Sequence, residues 1–364
     1  MASQEQKIMK AGNRPLPQRK KRIKNYWEPI YDPFFTGPTN EFDWNTSQKT
    51  GIKKSLCKSE TLQSSKNNLK VRGWTIKNFY FIECDFLGQF TPALAFNHCT
   101  FEKCDMGSST WTGTKFSNCT FKMCSFTMAT FEQCIFNNCA WENTGVSGTE
   151  TKLFDTTIGN PKSFIDSGYT NTDKDILKQN GNATPEYQAL RLEETKVKLA
   201  RTVLSNNERN SEDSIYYESI KVYLLQSIRA KSAKSLFNIK NKNNRIKNSL
   251  ALVFNEFEKG LISVSGTING WGGNIGRAAL FGVLIILIYT FTYTLVSFDG
   301  FEPLTWKLAL IKSLDISLLI GYTKHATNAL NWKVQTLYGV NALLGLWWYA
   351  IFVPTVINRI CRVR

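Results

Sequence analysis

Histidine is nearly missing, with two copies in 364 residues. No His, Cys or carboxylate cluster stands at metal-ligand spacing, and neither a nucleophile elbow nor a phosphate loop is present. Nothing therefore meets the requirements of catalysis, and no enzyme activity, catalytic residue, metal or cofactor is expected. The opening MASQEQKIMKAGNRPLPQRKKRIK is basic but has no apolar run behind it. That excludes a secretory signal and keeps the bulk of the chain, as an expectation, in the cytoplasm. Acid is absent from Arg229 to Lys247, where seven Lys and Arg stand.

What is present is charge, unevenly placed. The formal net charge is +16, and residues 1–70 hold 14 Lys/Arg against 6 Asp/Glu. Ile76 to Val146 is close to neutral. The positive charge precedes the first long apolar segment, as the positive-inside rule expects of cytoplasmic parts. A lipid bilayer is the expected partner, with anionic headgroups met at Arg229–Lys247. Nucleic acid is not. Residues 1–70 sustain no helical or strand period and read as a basic, largely disordered N-terminal arm.

From Ile76 the chain has a period of five. Phe81, Phe86, Phe96, Phe101, Met106, Trp111, Phe116, Phe121, Phe126, Phe131, Phe136 and Trp141 are separated by multiples of five. Small residues, seven of them cysteines, stand two positions before these centres or their equivalents. This fits neither the period of a helix nor that of a strand. It fits a solenoid whose stacked sides each send one large and one small side chain inward. The run FNHCTFEKCDMGSSTWTGTKFSNCTFKMCSFTMATFEQCIFNNCAW closely resembles the pentapeptide-repeat family. The resemblance implies a right-handed quadrilateral β-helix with four repeats per coil, assigned to residues 71–160, and a protein partner on its surface. Thr91 occupies one expected centre, where a corner is expected to bulge. The cysteine spacings of 5, 10 and 15 follow the repeat, so structural thiols are expected rather than a zinc site. The DNA mimicry of some long acidic pentapeptide solenoids does not suit a short, neutral ladder.

Residues 161–245 read as a linker and a cytosolic α-helical hairpin. Thr184-Pro185 opens its first helix, Ser205–Asn210 breaks it, and Ser211 caps the second. Residues 246–277 read as an amphipathic interfacial segment, with Leu250, Val253, Phe254 and Phe257 at helical spacing. Their GWGGNIG does not fit G-x-G-x-x-G and reads as a flexible elbow with Trp271 at the interface.

Residues 278–364 carry two uncharged apolar runs, Ala278–Phe298 and Val334–Ile357, each long enough to cross a bilayer. Between them, LTWKLALIKSLDISLLIGYTKHA holds Lys307, Lys312 and Asp315. A re-entrant helix covered by protein avoids placing these charges in lipid. Two spans leave both termini cytoplasmic and Arg359, Arg362 and Arg364 inside. Strong span, half-apolar helix ending in Ile-Gly-Tyr, strong span: this order resembles two-span potassium-channel-like pores, and residues 71–360 resemble bacterial pentapeptide repeats fused to one. The resemblance implies a pore helix over Ser313–Leu319 that includes Ser317. It implies a filter at Ile320, Gly321, Tyr322, Thr323 and Lys324, an inner-helix hinge at Gly345, a second bend at Pro354, and a homo-tetramer in the bacterial inner membrane.

The filter departs from that pattern. Thr323 stands for the second filter glycine, Lys324 for the acid that follows, and Leu319 for the usual threonine, so potassium selectivity is not implied. The expected function is an ion-channel-like protein whose cytosolic solenoid senses a signal or binds a partner. The alternatives are a membrane-perturbing bacterial defence or toxin effector, and a non-conducting membrane-anchored scaffold.

Overall fold

The computed structural model describes residues 73–86, 93–146, 151–170, 184–297, 302–320, 325 and 331–362. It also gives the backbone of strands Asn40–Glu41, Ser55–Lys58, Glu60–Thr61 and Phe90–Pro92. The chain divides into two compact units, Met1–Lys259 and Gly260–Arg364.

The first unit is a β-solenoid of about four coils. Three of its walls are parallel ladders of two- to four-residue strands, and the fourth is a column of single bridges from Asp85 through Asp105 and Ser125 to Gly145. Successive coils pair at an offset of 20, as in Phe96↔Phe116↔Phe136 and Phe81↔Phe101↔Phe121↔Trp141. All twelve centres named above are buried, and so are the small residues two positions before them. Register therefore stacks like on like. Phe81, Phe101, Phe121 and Trp141 form one column with centroids 4.9, 4.9 and 4.5 Å apart, and Phe96, Phe116 and Phe136 form another at 5.1 and 4.7 Å. Stacking of this kind adds about 1 kcal/mol per pair to the apolar burial.

The array thiols are buried and hydrogen-bonded to backbone carbonyls: Cys104 Sγ lies 3.4 Å from the Phe81 carbonyl, and Cys124 Sγ is 3.4 Å from that of Phe101. The Cys139 thiol one coil on, with burial, pushes Cys119 up to about 12, and burial pushes Cys134 up to about 11. Cys119 and Cys134 therefore stay protonated, and the array cysteines act as small apolar fillers.

At Asn78, His98, Asn118 and Asn138 on one corner, and at Ser108 and Met128 on another, two positions after a centre, the backbone turns left-handed. A non-glycine residue costs about 1 kcal/mol there, and the ladder imposes it. Met128, exposed and at φ +60°, is thus a site where glycine is favourable. Met128→Gly is expected to raise stability by about 0.5–1 kcal/mol, read as a higher denaturant midpoint at unchanged slope.

Thr91 does not break the ladder, since its backbone pairs in register with Trp111. The basic arm is also partly built. Ser55–Lys58 adds a parallel strand to Phe79–Ile82, with Cys57 opposite Phe81, and Asn40–Glu41 pairs with Glu60–Thr61.

The solenoid's far end is closed by three helices: α1 (Pro161–Asp166), α2 (Pro185–Asn210) and α3 (Asp213–Lys240). Phe164 of α1 meets Trp141 edge-on at 4.7 Å. Leu199, Ala200 and Val203 of α2 and Val222 of α3 join the solenoid core. The hairpin's packing partner is therefore the solenoid as well as itself. Thr184 caps α2 as expected, accepting from the Tyr187 N–H at 3.2 Å.

The expected break at Ser205–Asn210 does not occur. Those polar residues stay helical because they face strand ends whose backbone needs partners. The Asn207 side chain accepts from the Ile158 N–H at 3.1 Å and donates to the Ile158 carbonyl at 3.0 Å and to Ser219 Oγ at 2.9 Å. Asn206 donates to the Leu153 carbonyl at 3.1 Å. One amide thus takes the place of the next β-strand. Ser211 does not cap α3; its hydroxyl donates to the Asn207 carbonyl and closes α2 instead. Asn207→Leu, which orphans both Ile158 groups, is expected to cost about 2–4 kcal/mol in denaturant unfolding, with Asn207→Asp losing less.

Asp166 fastens α1 to both neighbours. It bonds Lys162 at 2.5 Å and Arg229 at 3.1 Å, and its carbonyl accepts from the Lys196 ammonium at 3.3 Å. Partial burial works against the Asp166 carboxylate, but the Lys162 and Arg229 cations outweigh it and hold the group below its ordinary value.

A further helix, α4 (Arg245–Asn269), contains the boundary between the units. The second unit continues with a short turn at Gly270–Gly272 and helices α5 (Ile275–Leu295), α6 (Trp306–Ser317) and α7 (Trp332–Arg362). The Gly-rich turn is fastened rather than loose. A Cβ on Gly266 would lie 2.7 Å from the Trp271 indole, so that ring packs on α4. Asn269 caps Gly272 at 3.1 Å, and Asn274 caps α5 by accepting from the Arg277 N–H at 2.9 Å.

Candidate functional site

Helices α5 and α7 have 21 and 31 residues and are long and apolar enough to cross a membrane. Large side chains on their outer faces stay exposed, among them Leu280, Leu287 and Phe291 on α5 and Leu343, Leu346 and Ile357 on α7. An apolar surface this continuous is not left to water by an ordinary soluble domain. With 12 residues, α6 is about 18 Å long and too short to cross the same distance.

The inward stripe of α7 holds Val334, Tyr338, Asn341, Ala342 and Gly345, at helical spacing. Against it lies the end of α6. Ser317, the first predicted pore residue, is 1% exposed and donates its hydroxyl to Asn341 Oδ1 at 2.7 Å. Asn341 in turn donates to the Tyr293 hydroxyl of α5 at 2.9 Å. One turn earlier on α6, Ser313 donates to the Ile286 carbonyl of α5 at 2.8 Å. The short helix is therefore tied to both apolar helices through fully satisfied buried polar groups.

Gly345 is where α6 comes closest. A Cβ there would stand 2.1 Å from the Ser317 carbonyl oxygen, so the backbone of α6 occupies the missing side chain's place. Packing accounts for this glycine, inside a helix that runs unbroken from Trp332 to Arg362. A second such contact joins α5 to α7. The Trp348 ring fills the space over Gly282, and its Nε1–H donates to the Ala278 carbonyl at 2.8 Å. Trp348 thus packs α7 against α5. Pro354 lies within α7 and leaves the Ala350 carbonyl without its helical donor.

Asp315 pairs with His325, at 3.4 Å. The Lys312 ammonium sits 4.7 Å from the centre of the Tyr338 ring, a cation–π arrangement. Of the filter-like positions, Ile320 is 77% exposed, while Gly321, Tyr322, Thr323 and Lys324 lie outside the described residues. Asn341, Tyr293 and Gly282 are contributors that sequence reasoning missed. Asn341 carried a signal, since an amide in the middle of an apolar run is costly unless it has a partner.

The family described as pentapeptide repeats (9 copies) matches residues 96–140. The solenoid carries pentapeptide repeats. Among solved structures, full-length QnrB1, a plasmid-mediated fluoroquinolone resistance protein, is similar at 18% identity and TM-score 0.24, over 29% of this chain and 57% of that one. A trypsin-treated form of QnrB1 gives 18%, 0.24, 29% and 52%. The chain thus spans a little over half the length of these structures. No curated protein matches it. The match falls within the pentapeptide-repeat solenoid, and the helical module beyond it is compatible with membrane association.

Proposed function

We propose that the protein is an ion-channel-like membrane protein whose cytosolic pentapeptide-repeat domain senses a signal or binds a protein partner. In this reading α5 and α7 span the inner membrane with both termini cytoplasmic. Helix α6 re-enters from the far side, and four copies close a pore around one axis. The solenoid is the right-handed quadrilateral helix of its repeat type.

The observation that carries the reading is the docking of α6. A helix too short to span is held between two apolar helices by buried Ser313 and Ser317, and its end rests on Gly345. Non-spanning helices are tolerated at membrane depth only where protein covers them, and pore entrances are their usual place. Small residues at the crossing, such as Gly345 and Gly282, are how membrane helices approach closely. The residues after α6 set the selectivity. With Thr323 and Lys324 replacing glycine and acid, and four lysines around an axis, the pore does not favour potassium.

The test is ion flux from vesicles carrying the reconstituted chain, with subunit stoichiometry measured on the same sample. A tetramer with flux that Gly321→Val abolishes is expected. Flux unchanged by Gly321→Val sinks the filter assignment. Well-inserted protein without flux leaves a membrane-anchored scaffold.

A further inference from the structure

Helix α4 begins as a helix with an uncovered apolar side. Ile246, Leu250, Val253, Phe254 and Phe257 are between 56% and 81% exposed. At 100° per residue they fall within an arc of about 100°. The opposite side of the helix carries Asn255, which is 9% exposed. This is thus the outward face of an amphipathic helix, not a frayed end.

Its surroundings are positive. A shallow open groove beside the stripe is lined by Lys242, Arg245 and Lys247 together with Ile246, Leu250 and Phe254. The acids within this part of α4 are both engaged by lysines: Glu258 pairs with Lys231 at 2.9 Å and Glu256 with Lys259 at 3.0 Å. Three cations therefore stand at the edge of an apolar strip with no uncompensated carboxylate in it. A protein partner would have to be apolar at its centre and acidic at its rim. An anionic bilayer has that pattern everywhere, acyl chains beneath a layer of phosphate. The chain also enters α5 at Ile275, 18 residues after Phe257.

We infer that residues 242–257 form a lipid-binding surface. The Ile246–Phe257 stripe enters the acyl boundary of the leaflet, while Lys242, Arg245 and Lys247 hold anionic lipid phosphates. This rests on the membrane reading above and adds the lipid class and the residues that recognise it. Each cation strengthens attachment about fivefold near an anionic surface.

The full chain is reconstituted with Cys57→Ser and Cys361→Ser, and an environment-sensitive fluorophore is placed at Leu250→Cys, Glu256→Cys or Leu284→Cys. Vesicles are either phosphatidylcholine or one-third phosphatidylglycerol, with iodide as the aqueous quencher and spin-labelled acyl chains as the lipid quencher. In anionic vesicles the label at 250 is expected to be blue-shifted, shielded from iodide and quenched from the lipid, while the label at 256 stays in water. Neutral vesicles, or Lys242→Gln with Arg245→Gln and Lys247→Gln, are expected to reduce lipid quenching at 250 several-fold. Iodide access at 250 in both lipids overturns the inference. So does shielding from iodide without lipid quenching, which means that a second copy or another protein covers the stripe. Equal lipid quenching in neutral vesicles overturns the role given to the phosphates. The label at 284 on α5 reports the spans separately: if lipid does not quench it, the pore reading fails whatever the label at 250 shows.

Discussion

Phe116→Ala is expected to lower the stability of the solenoid by about 3–5 kcal/mol, the usual range for removing a buried aromatic ring. The position sits at the upper end of that range for a structural reason. Phe116 is fully buried and stacks on Phe96 at 5.1 Å and Phe136 at 4.7 Å, with edge contacts to Phe101, Trp111 and Phe121. Its loss leaves a void that the short strands cannot close, because each is pinned to the coils on either side. Solenoids are stabilised by the interfaces between neighbouring coils, so one weakened coil uncouples the two halves. Denaturant unfolding followed by the fluorescence of Trp111 and Trp141 measures the change. A broadened, two-step transition is expected for Phe116→Ala, and Phe116→Leu should recover more than half of the loss. A loss below about 1 kcal/mol would mean that the column is not the solenoid's main support.

Gly345→Val is expected to detach α6 from α7 and abolish any conductance of the membrane module. Even a Cβ at this position falls 2.1 Å from the Ser317 carbonyl, where real Cβ contacts are not found under 3.0 Å, so α6 must retreat by about 0.9 Å or more. That retreat breaks the 2.7 Å bond from Ser317 to Asn341 and leaves a buried amide partly unpaired. A lost bond of this kind costs about 1–3 kcal/mol, and displacement of the helix that precedes the filter-like residues adds a functional loss. Gly345→Ala should show the same defect in weaker form. The readouts are vesicle flux and a cysteine crosslink between Leu318→Cys and Leu344→Cys, whose yield should fall in both variants. Flux retained in Gly345→Val would show that the α6–α7 contact is not needed for conduction. Trp348→Ala gives a separate check, since it empties the space over Gly282 and leaves Gly345 in place.

The solenoid was legible because its instructions repeat. Every fifth residue meets the same neighbours one coil away, so a linear pattern states the three-dimensional contact directly. The inward set from Phe81 to Trp141, and the small residues beside it, could be read position by position. Thr91 shows the limit of that rule: a weak centre in one coil stays in register because Trp111 in the next coil holds the strand. The helical hairpin was legible as helices and in its Thr184 start, but not in the junction between its two helices. Ser205–Asn210 has a loop's composition, yet it stays helical because Asn206 and Asn207 meet Leu153 and Ile158, about fifty residues earlier in the chain. In the second unit, hydropathy and length mark α5 and α7, and they mark the weaker stretch between as something different.

By itself, then, the sequence determined what is periodic and local. It specified which side chains fill the solenoid, where two apolar helices run, where the positive charge lies, and that the residues after Ile320 depart from a potassium filter. The tertiary structure decided what depends on distant partners. It turned an asparagine into the solenoid's last rung, set the Trp348 ring over Gly282, and made Gly345 the seat of a backbone carbonyl. The physical reason is one of range. Burial periodicity is set by neighbours a few residues away or a fixed repeat apart, whereas a single hydrogen bond or a missing Cβ acquires meaning only from the group that folding brings to it.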